Sequence, residues 1–274
     1  MIATYKLILC QQQAWARRRG IKFDSDGYTF ALNDNLFCSL SLETKREFDS
    51  GQGDELGRGS SRGKTQALHS SSALAANVFE YWRSHSIATI ARACGALEGM
   101  TEMHFEQVHP TPLGGIPPHL DVEFYCVGRK PMAIESKYTE LYHRRTKRRI
   151  KNKYLSYKGL WKQLPGCERL IRRIREEEKG KTSFTFLDVP QLLKHILGLT
   201  TEFGATGFEL LYLWYDFPSL EAKKHQRELI EFKGQIAGEV CFRDMTYQEL
   251  FEVIKRSPEA NKDYISYLAA RYFP

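Results

Sequence analysis

The chain has 274 residues, with 40 Lys and Arg against 33 Asp and Glu, a formal charge of +7 and a pI of about 9.0. With 42% hydrophobic and 12% aromatic residues it can bury a sizeable core, which excludes a disordered polycation. No run of about 18 apolar residues occurs, so no membrane span is expected, and six scattered cysteines without a CxxC pair exclude the common structural zinc patterns and a disulfide scaffold.

The start, MIATYKLILCQQQAWARRRG, lacks both a basic opening and a small-residue cleavage site, so no secretory signal is expected and a cytoplasmic location fits best. Residues 50–66, SGQGDELGRGSSRGKTQ, carry five glycines and no aromatic residue, and read as a flexible connection or a substrate-contacting loop. The expected organisation is an N-terminal extension and loop over 1–66, then a main domain over 67–274 that includes C-terminal helices, the two forming one unit. Within the loop, GRGSSRGKT imitates a P-loop, but Arg58 stands where the pattern needs its first glycine and no buried strand precedes it, so ATP binding is not expected.

A helix is predicted from Ser70–Ser72 through ALAANVFEYWRSH, with Leu74, Val78, Tyr81 and Trp82 as its apolar stripe. A strand is predicted around Met103 to His109, followed by the irregular loop PTPLGGIPP. Two further strands, HLDVEFYCV and PMAIESKY, flank Gly128-Arg129-Lys130. Residues 154–179 read as helical, and Asp188 starts another helix, VPQLLKHILGL. GFELLYLWY, 207–215, barely alternates and reads as a strand buried on both faces, parallel to an earlier strand through a right-handed crossover. Two helices close the chain, after Thr246 and after Ser257. The order α-β-β-β-α-β predicts an α/β fold with a mixed central sheet flanked by helices, plus N- and C-terminal additions.

The chemistry concentrates in HLDVE, 119–123, and AIESK, 133–137. Strand alternation puts Glu135 and Lys137 on one face and Ser136 on the other. A hairpin turning about Arg129 would set Asp121 opposite Lys137 and Glu123 opposite Glu135, all on one face, and requires an odd-length loop or a bulge at 128–130. Two carboxylates and an ammonium on one sheet face suit phosphodiester hydrolysis. Asp121 and Glu135, with the Ser136 backbone carbonyl, would hold Mg²⁺, for which Mn²⁺ can substitute. Lys137 would orient or help deprotonate the attacking water and offset transition-state charge.

These residues resemble the PD-(D/E)xK nuclease superfamily, whose core is α-β-β-β-α-β. The aspartate of that pattern falls on Asp121 and its (D/E)xK on Glu135 and Lys137, while the usual proline before the aspartate is displaced in Pro-Pro-His-Leu-Asp. The stretches LHSSSALAANVFEYW, FEQVHPTPLGGIPPHLDVEF, AIESKYTE and LDVPQLLKHILGL resemble a bacterial family of restriction-endonuclease-like nucleases, over roughly residues 50–250.

The resemblance implies an added glutamate from the first helix or strand. Glu80 lies opposite the apolar stripe of its helix and reads first as a solvated residue; Glu106, in HFEQ, has even claims on the site and the surface. Glu123 and Glu140 read as surface carboxylates, and Glu55 reaches the site only if the Gly-rich loop folds over it. Gln191 and Lys194 lie in the first turns of the helix after Asp188, where a polar residue approaches metal or DNA in the superfamily and where Asp188-x-x-Gln191 is also a capping box. His195 reads as a packed histidine. The run 143–153 holds seven Lys or Arg residues, and Arg144, Arg145, Lys147, Arg148, Arg149 and Lys151 are expected to contact the DNA backbone, without reading its bases.

The expected function is a Mg²⁺-dependent DNA nuclease, an endonuclease in restriction or defence against foreign DNA. Alternatives are a non-cleaving DNA-binding or assembly subunit that keeps the nuclease fold, and a nuclease acting on RNA or branched DNA. DNA is the expected partner, no membrane is involved, and cutting both strands would call for a homodimer.

Overall fold

A computed structural model describes residues 3–51, 53–58, 61–144, 150–177 and 184–274. In chain order these form α1 (Thr4–Arg18), α2 (Leu42–Ser50), α3 (Ser71–Arg83), α4 (Ile87–Ala93), β1 (Glu102–Val108), β2 (His119–Tyr125), β3 (Met132–Lys137), α5 (Lys153–Ser156), α6 (Pro165–Glu177) and α7 (Val189–Phe203). They continue with β4 (Glu209–Trp214), α8 (Leu220–Gln235), β5 (Cys241–Thr246), α9 (Tyr247–Ile254) and α10 (Lys262–Tyr272).

The five strands form one mixed sheet in the order β1-β2-β3-β4-β5. β1, β2 and β3 run antiparallel to their neighbours, and β3, β4 and β5 run parallel. This is an α/β architecture with helices on both sheet faces. β4 is the expected strand buried on both faces, since ELLYLW carries no polar alternation and pairs on both edges. β5, which the sequence reading did not anticipate, extends the sheet beyond β4 after the crossover through α8. It is short and only half-buried, as suits an edge strand.

α3 starts at the Ser70 cap, whose hydroxyl accepts from the Ala73 N–H. Every residue from Ser72 to Trp82 is buried. The helix has the sheet on one side, with Phe79 against Phe124, and α10 on the other, where Tyr81 stacks on Tyr264. Glu80 is therefore buried, contrary to the solvated face expected of it. Its carboxylate accepts from the Ser41 N–H at 2.7 Å and the Thr44 hydroxyl at 2.6 Å, fastening the start of α2 rather than joining a site. The helix expected over 154–179 is divided into α5 and α6. Pro165 opens α6, where its missing N–H leaves no bond unmade.

The termini meet through Arg271, which is fully buried. Its guanidinium donates to Gln12, the Asn35 backbone carbonyl and Tyr267, and lies 4.4 Å from the Trp15 ring centroid. None of the described carboxylates pairs with it.

Two helices shape the face that carries the candidate site. α7 is capped by Asp188, which accepts from the Gln191 N–H at 3.1 Å, and buries Leu192, Leu193, Ile196 and Leu197. α8 lies against β4, where His225 Nε2 is 3.0 Å from the Tyr212 hydroxyl. Gly198 lets α7 press against the chain after β1, because a Cβ there would run into the His109 carbonyl oxygen.

Candidate active site

Counted from its last ladder pair, Phe124 with Met132, the β2–β3 hairpin does turn through an odd number of residues, with Gly128 at the middle in the left-handed region at φ 77°. Its register differs from the expected one by two residues. Val122 pairs with Ile134 and Glu123 with Ala133, so one step further Asp121 lies level with Glu135 rather than with Lys137. A two-residue shift leaves every side chain on its original face, so Asp121, Glu135 and Lys137 still share one. Ser136 faces the opposite way, its hydroxyl 2.6 Å from that of Tyr247 on α9.

The three residues are in direct linkage. Asp121 Oδ2 accepts from the Ser136 N–H at 2.6 Å, bridging β2 to β3. Lys137 Nζ lies 2.5 Å from Glu135 Oε1, and Glu135 is 1% exposed. Burial alone would raise the Glu135 pKa, but the charges of Lys137 and His195 outweigh it and hold the carboxyl at about 2. Burial and the charge of Glu135 push the Asp121 carboxyl upward. Lys137 would be lowered by burial, yet Glu135 and Asp121 keep it firmly protonated.

Glu106 joins them. It continues the β1–β2 register level with Asp121, but its backbone is left-handed at φ 52° and it makes no ladder pair. A non-glycine residue in that region is strained, and such strain concentrates where the surroundings impose a conformation for function. Burial, then the charges of Glu55 and Glu135, push its pKa up to about 8. The Gly-rich loop does fold over this edge. A Cβ on Gly51 would lie 3.3 Å from Glu106 Oε2, and Glu55 is buried, accepting from the Ser72 hydroxyl and from Lys64 Nζ.

Two histidines border the carboxylates. His195 Nε2 lies 3.1 Å from Glu135 Oε2, both side chains being 2% exposed, and His119 Nδ1 lies 3.9 Å from Glu106 Oε2. From the sequence His195 is expected only as a packed residue, and no role is expected of His119. Neither has a motif spacing that would single it out; helix α7 and the start of β2 carry them to the carboxylates.

Gln191, Lys194 and Lys151 line a cavity beside this cluster. Arg144 is exposed, while Arg145, Lys147, Arg148 and Arg149 lie outside the described residues. Glu123 is buried against His109 at 2.8 Å rather than standing at the surface. Glu140 anchors α3 by accepting from the Ser71 hydroxyl at 2.6 Å. Arg172 and Arg173 are committed to ion pairs with Glu168 and Glu177.

Three buried or half-buried carboxyl groups crowd one edge, burial and their mutual charge push Asp121 and Glu106 toward the neutral form, and the donors are hard oxygens. The set therefore fits a small divalent cation held by two carboxylates, with backbone and water completing its shell. Among the described residues, the one trio of His, Cys, Asp or Glu side chains with ligand atoms within 4.8 Å of each other is Glu43, Glu47 and His104, elsewhere on β1 and α2, and Arg83 already pairs with both of its glutamates.

No helix among the described residues is long and apolar enough to cross a membrane. Residues 10–273 match the model of a family described as Restriction Endonuclease associating with ARP. No curated protein and no solved structure matches the chain.

Proposed function

The chain belongs to that restriction-endonuclease family, and from this premise we propose that it is a Mg²⁺-dependent deoxyribonuclease, an endonuclease acting in defence against foreign DNA. The observation that carries the reading is the convergence of Asp121 and Glu135 from adjacent strands, with Lys137 Nζ 2.5 Å from Glu135, on one sheet face. The order α3-β1-β2-β3-α7-β4 supports a restriction-endonuclease-like core around that face.

Asp121, Glu135 and the Ser136 carbonyl are the residues that hold Mg²⁺, or Mn²⁺ in its place, and such an ion supplies charge neutralisation at the phosphate and a more acidic water. The Ser136 N–H fixes the orientation of the Asp121 carboxylate. His195 and Lys137 hold the two oxygens of Glu135. Lys137 orients the attacking water and offsets charge as the phosphorus becomes five-coordinate. Glu106, whose carboxyl burial and the charges of Glu55 and Glu135 push upward, adds a further carboxyl at the same edge. Lys151 and Arg144, with the basic residues at 145–149, supply backbone contacts that set affinity rather than sequence. Because the family description names an association with ARP, the nuclease is read as working beside that partner, and a double-strand cut as needing two copies of its site.

The test is incubation of the purified protein with supercoiled, linear and single-stranded DNA, in Mg²⁺, Mn²⁺ or EDTA, with and without the partner. Nicking that EDTA abolishes is the expected result. DNA retained on the protein without any metal-dependent cleavage would instead identify a binding subunit.

A further inference from the structure

A cavity of about 430 Å³ opens beside the carboxylates. Its walls are the β1–β2 loop at 115–118 with His119 of β2, the segment around α5, Ile171 of α6, and the first two turns of α7. Pro117, Tyr154, Ile171 and Leu193 supply the apolar part of the walls, and the exposed Lys151 and Lys194 stand at its margin. His195 is the wall it shares with the catalytic cluster: one ring nitrogen lies 3.1 Å from Glu135, while Nδ1, buried with the rest of the ring, has no hydrogen-bond partner among the described residues. The ring nitrogens of His119, a second lining residue, also lack one. Buried donors and acceptors left unmatched are costly, and here they belong to residues lining a space sized for a small ligand.

The rim is preorganised. Lys153 Nζ donates to the carbonyls of Leu113 at 3.2 Å and Gly114 at 2.7 Å, pinning the loop through its left-handed glycines. At the tip, Ile116 is 80% exposed between this pinned turn and Pro117.

We propose that this cavity is a subsite for one unpaired nucleotide of the strand being cut, an inference that rests on the nuclease reading above. A slot whose walls combine apolar side chains with Gln191 and two histidines matches a base, flat and apolar on its faces and hydrogen-bonding at its edge. The marginal lysines match its phosphates. A base stacked inside a duplex cannot enter such a pit, so the nucleotide must be extruded or already unpaired. Ile116 is placed to occupy the vacated step, as apolar wedges do in deformed duplexes. The substrate class is then DNA with a mismatch, bulge or frayed nucleotide beside the scissile phosphate.

The experiment compares Mg²⁺-dependent cutting of one sequence as a perfect duplex, with a single bulged nucleotide, and as a single strand. It is paired with 2-aminopurine fluorescence at the bulge on the Asp121→Asn protein in Ca²⁺. Wild type should cut at the unpaired position at least ~10-fold faster than the perfect duplex, and 2-aminopurine emission should change on binding. Gln191→Trp, which fills the cavity from a half-exposed position, should bring the ratio close to one while the thermal midpoint stays that of wild type. Ile116→Ser should slow cutting of the perfect duplex more than of the bulged one. Equal rates on paired and unpaired DNA, unchanged by Gln191→Trp, would overturn the subsite and leave the nuclease reading standing. A 2-aminopurine response lost in Gln191→Trp, with no DNA cut by wild type, would uphold the subsite and remove the nuclease.

Discussion

His195 Nε2 lies 3.1 Å from Glu135 Oε2, and both side chains are 2% exposed. A buried carboxylate with a histidine on one oxygen and a lysine on the other is held in one orientation before any ligand arrives. Partners that orient a metal-binding carboxylate usually govern affinity about 10–100-fold. His195→Leu should therefore raise the Mg²⁺ concentration needed for half-maximal cleavage by about tenfold or more, and weaken Mn²⁺ binding measured without DNA. His195→Gln, which keeps a donor, should recover part of both. Unchanged Mn²⁺ binding in His195→Leu would mean that the contact serves packing alone.

Lys137→Ala should reduce plasmid nicking by about 10²-fold or more, the usual scale for losing a charge placed against a developing anion, while gel-shift retention of DNA persists. Nicking equal to wild type in Mg²⁺ would remove Lys137 from the mechanism. Because Lys137 also neutralises buried Glu135, the thermal midpoint should be followed in the same samples.

His109 supplies a pH dependence away from the catalytic residues. Burial would lower its pKa, but its contacts with Glu123 and Glu202, each 2.8 Å, outweigh that and raise it above the ordinary 6.5. A raised folded-state pKa means that the folded protein binds the proton more tightly than the unfolded chain. The resulting stabilisation is complete below pH 6.5 and is lost as pH rises through the folded-state value. The thermal midpoint of wild type relative to His109→Gln should therefore fall as pH rises from 6.5. A difference that grows with pH would contradict this assignment.

Gly198→Ala should destabilise by about 1–3 kcal/mol, as overpacking does, although Ala favours helix elsewhere. The added Cβ meets the His109 carbonyl, so α7 has to shift, and with it His195, Gln191 and Lys194. Denaturant unfolding reads the first effect and nicking the second. A stabilised variant would show that α7 has room there.

Arg271→Met should cost about 3 kcal/mol or more, since it strands the Gln12 and Asn35 groups that the buried guanidinium satisfies. Urea midpoints of the two proteins measure this. A neutral outcome would mean that the joint between the termini rests on aromatic packing alone.

Read as sequence alone, the chain already put Glu135 and Lys137 on one face, because side chains alternate along a strand, while Asp121 joins them only through the parity of the β2–β3 turn, which the sheet register decides. The central strand 209–214, the caps at Ser70, Asp188 and Thr246, and the succession of β1, β2 and β3 after α3 were legible for the same reason, each being set by neighbours a few residues apart, whereas α4 and the division of 154–179 into two helices were not. What lay out of reach depended on partners far away in the chain. Glu80 sits on the polar side of its own helix, but α2 and α10 cover that side, so its burial is a property of the packing. The Gly-rich loop lies over Glu106, His195 reaches Glu135 across 60 residues, and the left-handed turn at Glu106 is imposed by that crowded edge. Local periodicity decides which way a side chain points; only the closed sheet and its covering helices decide what it meets.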